Sequence, residues 1–228
     1  MMYDLLLQLP LFQGMSQEQL LLILEKVPFH FRKFQANEYI VREGEKCNDI
    51  IFVLSGRVRM ITPTFNSLIK IEEDFVAPHT IPFTNLFGST TVSRFSVCAQ
   101  GQAGAMFLDK SNFLKLMEKN RVMLVNALNI LSANAQKRHS AMDSLAEKDP
   151  MTRLASWLIA YTSYSARNIS IYFEAKDLCS MLNMKEEDLH QTIVKLQEDG
   201  FIEAGRENLK LIDRYGLRSL LTRNAEIK

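Results

Sequence analysis

AKDLCSMLNMKEEDLHQTIVKLQED, residues 175–199, is the stretch whose reading decides the fold of the C-terminal part. It reads as two short amphipathic helices folded over one tight turn. Leu178 and Leu182 lie four apart on the first helix, and Leu189, Ile193 and Leu196 repeat at four and three on the second. Cys179 supplies a small side chain where the two helices would cross closely. Asn183 falls at the turn, and Asn is among the few residues besides Gly that accept left-handed backbone. FIEAGRENLKLID (201–213) follows, with two short strands either side of Gly205–Asn208, a β-hairpin of the kind that forms a wing. Helix–turn–helix plus wing is a shape that lays one helix in a DNA major groove.

Upstream, helical signals cover roughly residues 3–27, with Ser16 as an N-cap and Gln19 at the capping-box distance. From about residue 29 the pattern changes to short strands. Glu38–Arg42 and Asp49–Leu54 are rich in Ile, Val, Tyr and Phe, with EGEKCN as the turn between them. Gly56 precedes Arg57–Thr62, and further strands are expected at Leu68–Glu73, Phe95–Gln100 and Ala103–Leu108. This spacing of strands and turns predicts a sandwich or barrel. The stretch from Ala77 to Ser93 is expected to be a loop or short helix inside it.

After Lys110 the period becomes helical. Leu124, Leu128, Leu131, Ala135, Arg138, Met142 and Leu145 follow a 4–3 heptad stripe, interrupted by Arg138. Two readings fit: a dimer seam, with Val122, Val125 and Ile130 turned to the barrel, or a core helix packing on its own barrel. Asp149-Pro150 starts another helix, since Pro suits a first helical turn; Trp157, Leu158 and Tyr161 give it an apolar side.

A chain of 228 residues, 47% apolar, can bury a real core and is expected to hold two domains. No apolar run reaches the roughly 20 residues that span a bilayer, and MMYDLLLQLP lacks the basic region of a signal peptide. Cys47, Cys98 and Cys179 are far apart and without CxxC, so they read as buried, reduced residues of a cytoplasmic protein, with no metal site. Neither GxSxG, P-loop nor HExxH occurs, so enzyme chemistry has little support. The net charge of +1 offers no global attraction to nucleic acid, which leaves binding to a local patch.

Small barrel, long helix and winged unit, in that order, resemble the cyclic-AMP receptor protein / fumarate–nitrate regulator (CRP/FNR) family of bacterial transcription regulators. Two stretches carry the resemblance: the winged unit, and Tyr39-Ile40-Val41-Arg42-Glu43-Gly44-Glu45 with Asp49-Ile50-Ile51-Phe52-Val53-Leu54-Ser55-Gly56-Arg57-Val58. In the latter, Gly44 and Gly56 allow turns that β-branched residues forbid. The resemblance implies an α+β chain in three parts. These are a cyclic-nucleotide-binding-like β jelly roll with flanking helices (1–120), a long dimerisation helix (121–148) and a winged helix–turn–helix (149–228). It also implies a homodimer that binds double-stranded DNA, with RNA polymerase and a small-molecule effector as further partners.

Effector-binding members of that family hold a cyclic nucleotide with Phe-Gly-Glu, a short helix, and an Arg followed by Ser or Thr. The Arg pairs with the phosphate and the Glu accepts from the ribose. The corresponding residues here are Phe87, Gly88, Ser89 and Arg94; the acid is missing, and Arg94 comes too soon and precedes Phe95. Cyclic AMP is therefore not the expected effector, and no cofactor is expected. Arg94 is left as an anion ligand or a solvated loop residue. Residues 1–30 contain no Cys for an iron–sulfur cluster. His79 and Cys47 are the available haem ligands, His79 reading more simply as a surface loop residue.

The second helix of the pair carries Lys185, Glu187, His190, Gln191 and Lys195, and Glu187 matches an acid that relatives also carry, able to accept from cytosine N4. Lys176, Lys195, Arg206 and Lys210 are the candidate phosphate contacts. Glu186, Glu187 and Asp188 run together; they suit a helix start but approach a polyanion. From Pro150 onward, eleven Lys/Arg balance eleven Asp/Glu. The expectation is weak, salt-sensitive, sequence-specific DNA binding; the alternative is a protein-interaction module on a regulator fold.

Overall fold

The computed structural model describes residues 2–226, which fall into two compact units: residues 2–60 with 75–134, and 61–74 with 135–226.

The first unit opens with α1 (Met2–Leu7), a 3-10 turn at Pro10–Phe12 and α2 (Gln17–Lys26). The expected capping box is present: the Gln19 amide donates to Ser16 Oγ, and the Ser16 amide donates to Gln19 Oε1. Nine strands follow along the chain: β1 (His30–Phe34), β2 (Tyr39–Val41), β3 (Asp49–Ser55), β4 (Arg57–Thr64), β5 (Ile69–Val76), β6 (His79–Thr80), β7 (Ser96–Ala99), β8 (Ala103–Asp109) and β9 (Ile169–Tyr172), of which β9, residues 61–64 of β4 and residues 69–74 of β5 belong to the second unit. One antiparallel sheet has the order β1–β8–β3–β6; in the other, β7 lies between β4 and β2. β1 escaped the sequence reading because its burial does not alternate; four of its five residues are exposed.

Gly44 and Gly56 take positive φ values of 82° and 85°. A side chain at Gly56 would also run into the backbone of Gln102 and Ala103, so this turn needs glycine twice over. The stretch from Ala77 contains strand β6 and then a loop with no helix through residue 95. His79 is thus not a loop residue at the surface. It is half-buried in β6 and stacks on Phe75 with ring centroids 4.1 Å apart, and burial lowers its pKa to about 4. Cys98 and Cys179 are buried as expected, whereas Cys47 is only half-buried.

Helix α3 (Lys110–Lys119) is capped by Asp109, whose carboxylate accepts from the Ser111 and Asn112 amides. Asn120 ends α3 in extended backbone and, through its side chain, accepts from the Met123 amide at the start of α4 (Arg121–Ser144). Met123 and Ala127 are buried in the first unit's core beside Phe113 and Leu116, with Val122, Ile130 and Leu131 packed partly against them. Val125 is 45% exposed, so it does not face the barrel as the heptad reading supposed; Met123 and Ala127 hold that role. Of the stripe, Leu131 is half-buried, while Leu124, Leu128, Ala135, Arg138 and Met142 are exposed. Leu145 falls just beyond the helix end.

The second unit contains α5 (Pro150–Tyr161), α6 (Ala175–Leu182), α7 (Glu186–Glu198), the hairpin β10 (Ile202–Ala204) and β11 (Asn208–Leu211), and α8 (Arg214–Glu226). Asp149 caps α5 by accepting from the Thr152 amide, with Pro150 in the first turn. Its sheet has the order β10–β11–β9–β5–β4, so two strands from much earlier in the chain extend the wing. The core gathers Trp157, Leu158, Ile169, Ile171, Leu178, Leu182, Leu189 and Leu196, together with Ile69 and Ile71 of β5.

Candidate nucleic-acid interface

The geometry of α6 and α7 is set at Asn183, which adopts φ 49° and ψ 54°. The Met184 amide donates to Cys179 O at 3.0 Å and the Asn183 amide to Ser180 O at 3.3 Å. This pair of bonds is a Schellman ending, and a left-handed residue is what closes it. The last carbonyls of α6 receive a second partner that sequence reading missed. Arg153 of α5 donates from NH1 to Leu182 O (2.9 Å) and Asn183 O (2.6 Å), and from Nε to Glu147 O (2.7 Å). One guanidinium thereby ties the turn to the start of α5. No local motif announces this contact, because Arg153 and Asn183 are joined only by folding.

Helix α7 buries Leu189, Thr192 and Leu196 and half-buries Ile193. Its acidic first turn, Glu186, Glu187 and Asp188, lies where carboxylates offset the helix dipole. Glu187, His190, Gln191 and Lys195 are all exposed, and helical spacing places them on one face away from the core. Lys185 is exposed at the N-cap, with no side-chain capping bond. Val194, 41% exposed, shares that face and was not singled out from sequence. An apolar side chain on a reading helix suits a thymine methyl group. Gly200, with φ 76°, stops the helix before the wing.

Several of the candidate phosphate contacts are already engaged by acids. Lys176 pairs with Glu174 at 2.7 Å, and Lys210 on the wing lies 3.7 Å from Glu203 across the hairpin. Lys195 acts on Asp149: burial opposes ionisation of that carboxyl, but the Thr152 hydrogen bonds and the Lys195 charge hold it below the ordinary range. Arg206 is exposed in the turn between β10 and β11. The interface is therefore a polar face of mixed sign, with its cations partly satisfied within the protein.

In the first unit, the Phe87 ring lies 6.3 Å from that of Phe113, with Lys110 Nζ 4.7 Å from the Phe87 centroid. Gly88, Ser89 and Arg94 are exposed. Ser93 and Phe95, flanking Arg94, are buried, and Ser93 Oγ donates to Phe95 O at 2.7 Å. Backbone bonds from Gly44 to Ser93, Cys47 to Thr91 and Ser93 to Glu45 fasten this loop to the turn after β2. Among the described residues no group of His, Cys, Asp and Glu gathers to hold a metal ion.

In comparisons with protein-family models, residues 31–120 match the cyclic nucleotide-binding domain and residues 152–220 match the Crp-like helix-turn-helix domain. No curated protein matches the chain in sequence. Among solved structures, the catabolite activator protein of Thermus thermophilus is 17% identical, covers 94% of this chain and 99% of its own, and has a TM-score of 0.54. That is a likeness of fold. DNR from Pseudomonas aeruginosa is 21% identical over 95% of this chain and 96% of its own, with a TM-score of 0.45. FixK2 from Bradyrhizobium japonicum is 15% identical over 85% and 98%, with a TM-score of 0.47.

Removing the Arg153 guanidinium strips partners from the carbonyls that end α6. Arg153→Ala is expected to lower unfolding free energy by about 1.5–3 kcal/mol, the scale for hydrogen bonds to a charged group. Chemical denaturation measures this; Arg153→Lys, which lacks the fork, is expected to recover only part of the loss.

Proposed function

We propose, for a chain that belongs to the CRP/FNR family of DNA-binding transcription regulators, that it acts as a cytoplasmic homodimer which reads duplex DNA with α7 and responds to an effector other than cyclic AMP. The family consists of regulators rather than enzymes. The observation that carries the reading is the exposed face of α7, held by a left-handed turn and flanked by a wing. In this scheme Lys185, Glu187, His190 and Gln191 meet base edges, with Val194 beside them. Lys176, Lys195, Arg206 and Lys210 meet phosphates, two of them by exchanging an internal carboxylate for DNA. That exchange lowers the net gain per contact, so binding is weak and falls with salt.

The dimer is proposed to form along α4. Leu124 is 37%, Leu128 54% and Met142 70% exposed, a row of apolar side chains that a second copy would cover. With Leu131, Ala135 and Arg138 it makes a seam that presents two copies of α7 to half-sites about 34–36 Å apart. An effector in the first unit would shift the balance between arrangements of the two reading helices. A contact with RNA polymerase completes the regulatory scheme.

A second reading is favoured by the ion pairs Lys176–Glu174 and Lys210–Glu203. A mixed-sign face of this kind also suits a protein partner, in which case the chain is a regulator-fold interaction module. Selection of bound sequences from random DNA, at low and physiological salt, separates the two. Enrichment of a two-fold symmetric site supports the DNA reader, and no retention at low salt supports the module.

Given an enriched site, Gln191→Ala is expected to relax preference at one base position, costing about 1–3 kcal/mol there. Lys210→Ala is expected to weaken binding on every sequence and reduce the salt slope by about 1. Equal effects of both variants on all sites would contradict those roles.

Leu128→Asp with Leu131→Asp is expected to convert dimers to monomers in sedimentation velocity; unchanged dimers would return the stripe to packing within one chain.

Cyclic AMP at micromolar concentration is expected to give no binding heat in titration calorimetry, since the family resemblance implies Ser89 in place of the ribose-accepting acid and the loop through residue 95 forms no helix.

A further inference from the structure

Strand β5 carries an anomaly in its inward face. Its residues alternate strictly, with Ile69, Ile71, Glu73 and Phe75 buried and the intervening residues not. Three of these are apolar, as the inside of a sheet requires. The fourth is a carboxylic acid, only 3% exposed, and it is the one charged residue among the buried side chains described. A charge at a core position costs free energy unless it is compensated.

The compensation comes from the winged-helix unit. β5 pairs antiparallel with β9, with Lys70 opposite Tyr172, Ile71 opposite Ile171, Glu72 opposite Ser170 and Glu73 opposite Ile169, and has β4 on its other side. The pairing continues past the ladder: the Asp74 amide donates to Asn168 O, the Arg167 amide to Asp74 O, and Asn168 Nδ2 to the Asp74 carboxylate. Glu73 Oε1 accepts from the Ser163 amide. Just beside it, the C-terminus of α5 collects cations. Lys137 Nζ donates to Thr162 O at 2.8 Å, and Arg214 donates to Ile159 O at 2.8 Å and to Thr162 O and Oγ1 at 3.2 Å. Burial nonetheless wins over these partners: it pushes the Glu73 carboxyl above its ordinary range against the Ser163 bond and the charges of Lys137 and Arg214. A docked strand with such a residue at its centre is held less tightly than its isoleucines alone would hold it.

We propose that residues 61–74 form a releasable strap on the winged-helix unit, in which Ile69 and Ile71 complete the core that carries α7, and Glu73 is the positioning residue that keeps the docking reversible. The strap is continuous with the barrel through the remaining residues of β4 and β5, Arg57–Met60 and Phe75–Val76. Docked, it covers the open edge of β9 and closes the core shared by α5, α6, α7 and the wing. Released, it leaves that edge bare and the core two isoleucines short. The DNA-reading state is the docked one; this last clause rests on the function proposed above, whereas the reversible docking does not.

Two variants of the full-length protein move the strap in opposite directions. Glu73→Gln keeps the acceptor for the Ser163 amide without a charge to desolvate, and so docks more firmly. Glu73→Lys places a cation against Lys137 and Arg214, and so releases the strap. Amide hydrogen exchange of segment 167–173 is the first readout, with α5 and α7 segments as internal references. Glu73→Lys is expected to speed exchange at 167–173 at least tenfold while the reference segments change less than twofold, and Glu73→Gln is expected to slow it. Equal acceleration everywhere, or none in either variant, overturns the strap. The second readout is fluorescence anisotropy with a labelled duplex bearing the site recovered by selection. Glu73→Lys is expected to bind it at least tenfold more weakly and Glu73→Gln no more weakly than the unaltered protein. Opposite shifts in exchange with identical affinities overturn the coupling to DNA. If the unaltered protein retains no DNA, the DNA-reading proposal falls, while the exchange result still decides the strap.

Discussion

The left-handed backbone at Asn183 is the constraint on which the functional half of this chain turns. With φ and ψ both positive there, α6 stops and α7 starts at an angle that lets Leu189, Thr192 and Leu196 share a core with Leu178 and Leu182. Once that face is committed inward, what α7 and its N-cap offer to solvent includes Lys185, Glu186, Glu187, His190, Gln191, Val194 and Lys195. The chemistry available at the surface is thus a by-product of packing underneath it. Arg153 ties the arrangement to α5 by occupying carbonyls that a helix end otherwise leaves to water.

Electrostatics pull against this scaffold. The three acids at the start of α7 favour the helix through its dipole, yet face the direction from which a polyanion would approach. Lys176 and Lys210, the cations best placed to answer, each sit beside a glutamate. Exposed pairs of this kind contribute little to stability and are readily exchanged. In the proposed DNA reader, affinity would therefore depend on having two copies and on the state of its frame rather than on charge alone. Glu73 brings the same tension inside: a carboxylate at a core position makes a strand pairing conditional that pure aliphatics would make permanent.

Much of the local structure was legible because it rests on short-range rules. The Ser16–Gln19 capping box, the Pro150 helix start, the glycine turns at 44 and 56 and the Asn183 turn all follow from stereochemistry within a few residues. The misses have physical causes as well. β1 buries too little for alternation to show, and His79 lies in a two-residue strand that no periodicity can reveal. On α4 most of the stripe is exposed, and the barrel-facing residues are Met123 and Ala127, with Val125 outside. A 3.6-residue period drifts against a seven-residue repeat, so the opposite face cannot be assigned by counting alone.

By itself, then, the sequence determined the order of parts, the family, the helix–turn–helix with its wing, and that Ser rather than an acid follows Phe87-Gly88. Each of these is carried by residues close together in the chain, where backbone sterics and periodicity act. Only the tertiary structure decided that Arg153 caps α6, that Lys176 and Lys210 are paired, and that β5 joins the wing sheet through β9 with a glutamate in its inward face. Those facts join residues as much as a hundred positions apart. Which strand edge a hairpin covers, and which carbonyl a guanidinium reaches, is settled by the packing of whole elements and leaves no local pattern behind.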